Sequence, residues 1–167
     1  MRLIYLTGMP GSGKSTLGKM LAERLNCDYI DLDETIETEA GAGIPELFER
    51  EGESGFRDRE SRALKAVSQR EESAVIATGG GIILREENWE TMRDSGMVFF
   101  IDRPLATICK DVETGYRPLL KGGIPALTEL YEKRIRLYNE RCHVRISNGG
   151  SAEEALAALL AQVKNLS

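Results

Sequence analysis

The sequence is poor in histidine and cysteine, and each shortage excludes a class of metal site or scaffold. It contains one histidine, His143, and three cysteines in 167 residues. Cys27, Cys109 and Cys142 are scattered and show no C-x-x-C spacing, so the pattern favours neither a disulfide framework nor a zinc site, and we expect reduced thiols. A lone histidine cannot form a histidine-based metal centre, so we expect His143 to be structural.

Basic clusters and long apolar runs are also absent. The formal net charge is −5 and no block is rich in lysine or arginine, so we expect no nucleic-acid partner. No apolar segment approaches the length of a bilayer span, and the N-terminus lacks a signal-peptide pattern, which predicts a cytoplasmic protein without membrane contact. With 41% hydrophobic residues, the chain suits one core, so we predict a single domain over residues 1–167 with small-molecule partners.

Short apolar, β-branched runs alternate with helical patterns, which predicts a parallel sheet with crossover helices. The five predicted strands are 3–7, 29–32, 74–78, 97–101 and 143–146. Helical spacing predicts a first helix that ends near Asn26, a short one from Pro45 and a longer one over 54–69. A capping box at 151–154 starts the last predicted helix. The sequence therefore predicts an α/β fold, in which ligands bind at the carboxyl ends of the strands.

The most specific pattern is residues 8–16, Gly-Met-Pro-Gly-Ser-Gly-Lys-Ser-Thr, which we call the phosphate loop. It fits G-x-x-x-x-G-K-[ST] at every fixed position, directly after an apolar strand and before a helical pattern. Its glycines let consecutive N–H groups face one phosphate group, and the helix adds its positive end. We expect Lys14 to reach the β- and γ-phosphates and Ser15 to ligate Mg²⁺. The predicted nucleotide-binding residues of the loop are Gly11, Ser12, Gly13, Lys14, Ser15 and Thr16.

Two aspartates mark the end of the second predicted strand. Asp31 and Asp33 are two residues apart, so the period of a strand predicts that both carboxylates share one face. We expect one to join the Mg²⁺ shell and the other to bind a substrate hydroxyl, as orienting group or base. The alternative is a solvated strand end with a helix cap. Asp102 follows the fourth predicted strand, and we interpret it as the N-cap of the next helix, since Arg103-Pro104 follows at once.

Three adjacent glycines, residues 79–81, follow the third predicted strand; we call them the triple glycine. Such a run costs backbone entropy and is favoured where a ligand contacts the main chain, although a plain loop is the alternative. Arg134 shares a predicted helix face with apolar and aromatic residues, so its charge needs an anionic partner. A bound carboxylate or phosphate would satisfy it, and so would a nearby glutamate.

Two further arginines are candidates. Arg57 precedes Glu60 by one helical turn, a pair that is common on exposed helices and is weak evidence alone. Arg117 lies in a polar, glycine-flanked segment at about 110–123, which we predict to be a lid. From there Arg117 could neutralise charge that develops on a transferring phosphoryl group.

Together these patterns resemble the shikimate kinases in order and spacing over nearly the whole chain. The matching elements are the phosphate loop, Asp31-Leu-Asp33, Phe56-Arg57-x-x-Glu60, the triple glycine, Arg117-Pro-Leu-Leu and Arg134-x-x-x-Tyr138. The resemblance implies a three-layer P-loop fold like that of nucleoside monophosphate kinases, with a five-stranded parallel sheet in the order 2-3-1-4-5. It also implies a monomer that transfers the γ-phosphate of ATP to the 3-hydroxyl of shikimate with Mg²⁺, a step toward chorismate and the aromatic amino acids.

The resemblance further implies a role for each matching residue. Asp33, within an acceptor-binding region at about 31–60, would bind the accepting hydroxyl, and Asp31 would hold metal-bound water. Arg57 and Arg134 would clamp the shikimate carboxylate. Gly79, Gly80 and Gly81 would line the pocket, and Arg117 would close down with the lid. The predicted catalytic residues are Lys14, Asp33 and Arg117.

The chain departs from the family pattern on the adenine side. Lys110 stands where members often carry an arginine; it keeps the charge, which places it among the ATP-binding candidates, but loses planar stacking. Residues 147–150, Ser-Asn-Gly-Gly, lack the usual basic residue before the last helix. Base preference and nucleotide affinity therefore stay open, as do two other interpretations: a gluconate kinase of the same architecture, and a non-catalytic relative. Pro10 is unusual in the loop and is expected to stiffen it without blocking it.

Overall fold

A five-stranded parallel sheet forms the centre of the fold, with strand order β2-β3-β1-β4-β5. The computed structural model describes residues 3–113 and 122–165. The strands are β1 Leu3–Thr7, β2 Asp28–Asp31, β3 Ala74–Ala77, β4 Met97–Asp102 and β5 Val144–Ser147. The helices are α1 Lys14–Leu25, α2 Leu32–Ala40, α3 Ile44–Ser68, α4 Glu86–Ser95, α5 Leu105–Glu113, α6 Gly123–Glu140 and α7 Ala152–Asn165, with a 3₁₀ turn at Ile82–Leu84. The predicted sheet and its strand order are confirmed.

β1 lies at the centre of the sheet and is buried along its whole length. It pairs in parallel with β3 and with β4. Because successive strand side chains point to opposite faces, Leu3 and Tyr5 join the apolar core on one face, while Ile4 and Leu6 join the core on the other. Helices α2 to α6 contribute to the first core, and α1 and α7 cover the second. The result is the expected three-layer arrangement.

The second strand ends earlier than the sequence pattern predicted. Leu32 and Asp33 belong to the first turn of α2, so the prediction that Asp31 and Asp33 share a strand face is wrong. Asp31 caps the helix: its Oδ1 accepts hydrogen bonds from the N–H groups of Asp33 at 3.1 Å and Glu34 at 3.4 Å. These two hydrogen bonds stabilise the start of a helix, and they favour it over continuation of the strand that the alternating pattern predicts.

The predicted helices from Pro45 and over 54–69 are the two halves of α3, which meet at a kink. α3 carries Pro45 in its first turn and is kinked at Gly52, which has φ 70° and ψ −179°. Across the kink, Glu51 accepts two hydrogen bonds from Arg59, at 2.7 and 2.6 Å. Gly52 separates two helical segments, in agreement with the two helices that the sequence pattern predicts.

Asp102 does not cap the helix that follows it. α5 begins at Leu105, and the Asp102 carboxylate accepts a hydrogen bond from Arg145 Nε on β5 at 3.0 Å. By contrast, the capping box before α7 is confirmed by reciprocal bonds between Ser151 and Glu154, at 2.9 and 3.2 Å. All three cysteines are free thiols. Among residues 3–113 and 122–165, no helix is both long and apolar enough to cross a membrane.

Candidate active site

The phosphate loop connects the end of β1 to the start of α1. Gly8, Gly11 and Gly13 have φ values of 147°, 86° and 96°, a region that glycine adopts far more readily than other residues. Gly8 is also sterically required, because a Cβ there would lie 2.6 Å from the carbonyl oxygen of Ile101. The backbone of the loop therefore follows the path that the glycine pattern predicted.

Pro10 stabilises a turn inside the loop. The N–H of Ser12 donates to the carbonyl of Met9 at 3.0 Å, with Pro10 in the second position of the turn and the positive-φ Gly11 in the third. This combination is typical of a type II turn, in which proline supplies the required φ. The expectation that Pro10 is compatible with the loop agrees with this geometry.

The Lys14 ammonium group lies over the backbone of the loop. Its Nζ donates to the carbonyl oxygens of Gly8 and Met9, both at 2.9 Å. The first helical hydrogen bond of α1 runs from Leu17 N–H to Gly13 O at 2.9 Å, so the N–H groups of the preceding helical residues have no partner within the helix. A cation and a helix N-terminus thus meet in one hollow, which is an anion-binding arrangement.

Asp31 connects the phosphate loop to α2. Its Oδ2 accepts hydrogen bonds from Ser15 Oγ at 3.0 Å and from the Tyr29 hydroxyl at 3.1 Å. Burial raises the pKa of Tyr29 well above its usual value, so the hydroxyl remains a donor to the carboxylate. Tyr29 is a site residue that the sequence pattern missed. The Ser15 and Asp31 oxygens are the ligand type that Mg²⁺ prefers.

Four charged side chains surround the triple glycine. A Cβ added to the first glycine would lie 2.6 Å from Glu60 Oε1 and 2.7 Å from Asp33 Oδ1. One added to the second would lie 3.4 Å from Arg134 Nη1, and one added to the third would overlap the guanidinium of Arg57. The missing side chains therefore make room for functional groups from α2, α3 and α6. We call this set, Asp33, Arg57, Glu60, Arg134 and the triple glycine, the acceptor pocket.

Asp33 is the most perturbed acid of the acceptor pocket. Burial, followed by the charges of Glu60 and Asp31, raises its pKa to about 6, and Lys14 opposes this shift. A carboxyl group with such a pKa is still mostly ionised at pH 7, yet accepts a proton more readily than an exposed aspartate. The α2 helix thus presents a weak base beside the triple glycine.

Arg57 and Glu60 form a buried ion pair on α3. Arg57 Nη1 and Glu60 Oε2 are 2.6 Å apart, and the Glu60 side chain is 1% exposed. The Arg57 guanidinium also lies 5.3 Å from the ring centre of Phe56 and 5.9 Å from that of Phe48. Its Nε is buried without a hydrogen bond to a described residue. Glu53 Oε1 lies 3.7 Å from this nitrogen and meets part of its charge, and an acceptor anion would supply the hydrogen bond that it lacks.

Arg134 reaches the pocket from α6 and is 8% exposed. One helical turn later, the Tyr138 hydroxyl donates to the carbonyl of Gly80 at 2.5 Å, and its ring stacks on Phe100 with centroids 5.1 Å apart. Burial raises the pKa of Tyr138 to about 12. The expected buried face of Arg134 is confirmed. Burial raises the pKa of Glu60, and the charges of Arg57 and Arg134 oppose that rise. Tyr138 therefore holds α6 against the triple glycine.

Two other predicted site residues lie apart from this cluster or outside the described residues. Lys110 is exposed near the end of α5. This end is linked to the phosphate loop through Arg103, whose Nη1 donates to Asp111 at 2.6 Å and to the carbonyl of Gly11 at 3.0 Å. Arg117 and most of the predicted lid at 110–123 lie outside the described residues.

Comparison with known proteins identifies one family. The family model described as shikimate kinase matches residues 10–164. A curated shikimate kinase from Clostridium botulinum (strain Eklund 17B / Type B) is 42% identical over 156 residues, which cover 93% of each chain. One from Gloeobacter violaceus is 45% identical over 96% of this chain and 93% of its own.

Solved structures agree with these sequence matches. Shikimate kinase from Acinetobacter baumannii in complex with shikimate superposes with a TM-score of 0.87 at 36% identity, covering 98% of this chain and 92% of that one. The enzyme from Bacteroides thetaiotaomicron gives a TM-score of 0.88 at 30% identity, with 98% of both chains covered. The phosphate loop, the acceptor pocket and these matches agree, and the chain belongs to the shikimate kinase family of ATP-dependent kinases.

Proposed function

We propose that this protein transfers the γ-phosphoryl group of ATP to the 3-hydroxyl of shikimate, giving shikimate 3-phosphate and ADP. The observation that carries the proposal is the meeting of Asp33, Arg57 and Arg134 at the triple glycine. The phosphate loop touches the same place, since a Cβ on the second of these glycines would lie 3.0 Å from Pro10 Cδ. Acceptor and donor sites are therefore neighbours.

The acceptor pocket suits a cyclic hydroxy acid. Guanidinium groups recognise a planar carboxylate through paired hydrogen bonds, and we assign Arg57 and Arg134 to the shikimate carboxylate. We assign Asp33 to the accepting hydroxyl, which it orients and whose proton it receives as the phosphoryl group is transferred. Gly79, Gly80 and Gly81 line the pocket, where a larger residue would displace these charged groups.

The phosphate loop suits the triphosphate. In the proposed complex, the Lys14 ammonium turns from the loop carbonyls to the β- and γ-phosphate oxygens, while the N–H groups of residues 13–16 surround the phosphates, with Gly11 and the Ser12 side chain nearby. Alignment and charge neutralisation account for most of the catalysis of phosphoryl transfer. Lys110 is assigned to the nucleotide and Arg117 to the transferring group; the latter stays a prediction from the sequence.

The residues around Ser15 fit Mg²⁺. The Ser15 hydroxyl donates a hydrogen bond to Asp31 at 3.0 Å, which leaves the lone pairs of its oxygen for the ion. The same contact places the Asp31 carboxylate where it can hold metal-bound water. The described part of the chain holds no group of three acidic, histidine or cysteine side chains able to bind a metal, so phosphate and water oxygens would complete the shell. When bound, Mg²⁺ neutralises phosphate charge.

A coupled ADP-release assay with shikimate, gluconate and AMP as acceptors tests the proposal. We expect turnover with shikimate alone, because gluconate lacks the ring and AMP lacks the carboxylate. Turnover with gluconate at a similar rate would indicate the alternative sugar-acid kinase, and ATP binding without turnover on any acceptor would indicate a non-catalytic relative. We further propose a single domain, 1–167, that acts as a monomer in the cytoplasm; light scattering tests its size.

A further inference from the structure

Two side chains from outside the nucleotide-binding pattern bind carbonyl groups of the phosphate loop. Arg103 Nη1 donates to the carbonyl oxygen of Gly11 at 3.0 Å, and Asn148 Nδ2 donates to that of Ser12 at 2.8 Å. These carbonyls belong to consecutive peptide groups. The two donors come from different segments, one after β4 and the other after β5.

Both donors are themselves held in place by the fold. The Arg103 guanidinium is paired with Asp111 on α5 at 2.6 Å. The backbone N–H of Asn148 donates to the carbonyl of Asp102, the last residue of β4, at 2.7 Å. The Asn148 amide also packs on Gly13, where an added Cβ would lie 2.6 Å from Nδ2. The loop carbonyls are thus tied to the carboxyl ends of two strands.

The direction of a carbonyl decides the direction of the next N–H group. In a trans peptide the C=O and N–H point to opposite sides, and the described chain has no cis peptide bond. With the Ser12 carbonyl directed at Asn148, the N–H of Gly13 faces the other way, toward the side of the loop away from that tether. With the Gly11 carbonyl directed at Arg103, the N–H of Ser12 faces away as well and meets Met9 O at 3.0 Å.

These tethers act on a part of the loop in which glycines make the backbone adaptable. Gly11 and Gly13 flank both peptide groups, and glycine loses more conformational freedom on ordering than any other residue. A loop that samples several orientations of its N–H groups binds an anion less tightly than a loop with one orientation, since ordering then costs part of the binding free energy. External hydrogen bonds to the carbonyls remove that cost before the ligand arrives.

We propose that Arg103 and Asn148 are positioning residues that hold the phosphate loop in its anion-binding conformation. They act through the loop backbone, without contact to the acceptor. The proposal rests on the proposed function for the identity of the nucleotide. It predicts that their loss weakens nucleotide binding and leaves acceptor binding intact.

The test measures ADP and shikimate affinities separately by calorimetry, each without the other ligand. Asn148→Leu replaces the amide by an apolar group with the same number of heavy atoms and the same branching, and Arg103→Met removes the donor at similar length. We expect each to weaken ADP binding about five- to tenfold, the effect of one hydrogen bond, with shikimate affinity changed less than twofold. Arg103→Lys keeps a donor and should restore part of the ADP affinity. If Asn148→Leu lowers the melting temperature, Asn148→Ala repeats the test without added bulk.

Arg145→Met is the matched charge control. Arg145 is 58% exposed and pairs with Asp102 on the same side of the fold, but donates to no loop carbonyl among its described contacts. We expect its ADP affinity to stay within twofold of the parent. Equal weakening in Arg145→Met and Arg103→Met, unchanged ADP affinity in both tether variants, or parallel loss of shikimate affinity would each overturn the proposal. Failure of the parent protein to bind or phosphorylate shikimate would instead contradict the proposed function alone.

Discussion

The phosphate loop and the acceptor pocket solve the same task, binding an anion, with different parts of the chain. The loop is one continuous stretch, 8–16, and presents backbone N–H groups and one lysine. The pocket is assembled from α2, α3, the end of β3 and α6, and presents charged side chains. Backbone donors carry no net charge and do not titrate, whereas the pocket must keep four charges close together under partial burial.

In the acceptor pocket, the charge that the proposed reaction needs lowers the stability of the fold. The Asp33 carboxylate lies near two other acids and is largely buried, which raises its pKa to about 6. A raised carboxyl pKa means that the folded state binds the proton more tightly than the unfolded state. The fold is therefore less stable when Asp33 is ionised, the state that the proposed reaction needs.

The largest effect is expected in the phosphate loop. Lys14→Met removes the cation while keeping the length of the side chain, and should lower turnover by roughly a thousandfold or more, because charge on the transferring phosphoryl group is no longer neutralised. Shikimate affinity and the melting temperature should stay close to those of the parent. Stopped assays measure turnover, and calorimetry measures shikimate affinity and the melting temperature. A matching loss of shikimate affinity would show that the two regions are not separable.

Asp33→Asn should lower turnover by roughly a hundred- to ten-thousandfold, the range for loss of a general base. The same change should raise the melting temperature at pH 7, because the cost of ionising a carboxyl group with a raised pKa disappears. Because the folded state binds the proton of Asp33 more tightly than the unfolded state, ionisation of Asp33 lowers stability. This cost is complete above pH 6 and vanishes below the unfolded pKa near 3.8. Thermal scans at pH 7 and pH 3 should show the stabilisation at the higher pH alone. A lower melting temperature at pH 7 would contradict the assigned electrostatics.

Arg134→Ala should weaken shikimate binding about ten- to a hundredfold, as expected for a charged hydrogen-bonding group, with little change in ADP affinity. Arg136→Ala is the matched control on the same helix, since Arg136 is 83% exposed and pairs with Glu140. It should change neither affinity. Equal weakening of gluconate and shikimate binding in the first variant would argue against a pocket built for shikimate.

The smallest effect is expected outside both regions, at His143. Its Nδ1 accepts a hydrogen bond from the N–H of Val98 at 3.0 Å, and burial, aided by the charge of Arg93, lowers its pKa. A lowered histidine pKa contributes stability above the unfolded value of 6.5 that is lost as pH falls through the folded value. His143→Asn keeps an acceptor and should reduce the pH dependence of the free energy of unfolding, measured by urea unfolding between pH 5 and 8. If the free energy of unfolding depends on pH in the same way in this variant, His143 is not the source of that dependence.

Much of the sheet could be predicted because buried parallel strands appear as apolar runs. β1 was predicted at 3–7 and lies at Leu3–Thr7. α2 was missed since Asp31, Leu32 and Asp33 alternate polar and apolar residues, which suits a strand end as well as a first helical turn. The capping hydrogen bonds of Asp31 decide between the two, and local spacing does not reveal them.

The parts of the site whose residues are close together in the sequence could be predicted. The phosphate loop needs no tertiary information, and its geometry agrees with the pattern. The burial of Glu60 was not evident, because an arginine and a glutamate three apart usually lie on an exposed face. Tyr29 and Asn148 carry no pattern of their own. The hydrogen bond from Tyr29 to Asp31 lies within one strand and depends on the orientation of two side chains, whereas that from Asn148 to Ser12 joins distant segments and depends on the order of the strands. The assigned roles of the pocket residues stay predictions until the variants are measured.

The central position of β1 has a consequence for how the protein forms during synthesis. Its two hydrogen-bonded neighbours pair through Ala74 and Met97, so β1 has neither partner until those segments have left the ribosome. Pairing between such distant segments is slow, and unpaired strand edges are prone to aggregate. Asn148, which supports the loop, is translated later still. The phosphate loop is the most easily recognised pattern in the sequence. In the nascent polypeptide it is therefore among the last parts to become able to bind an anion.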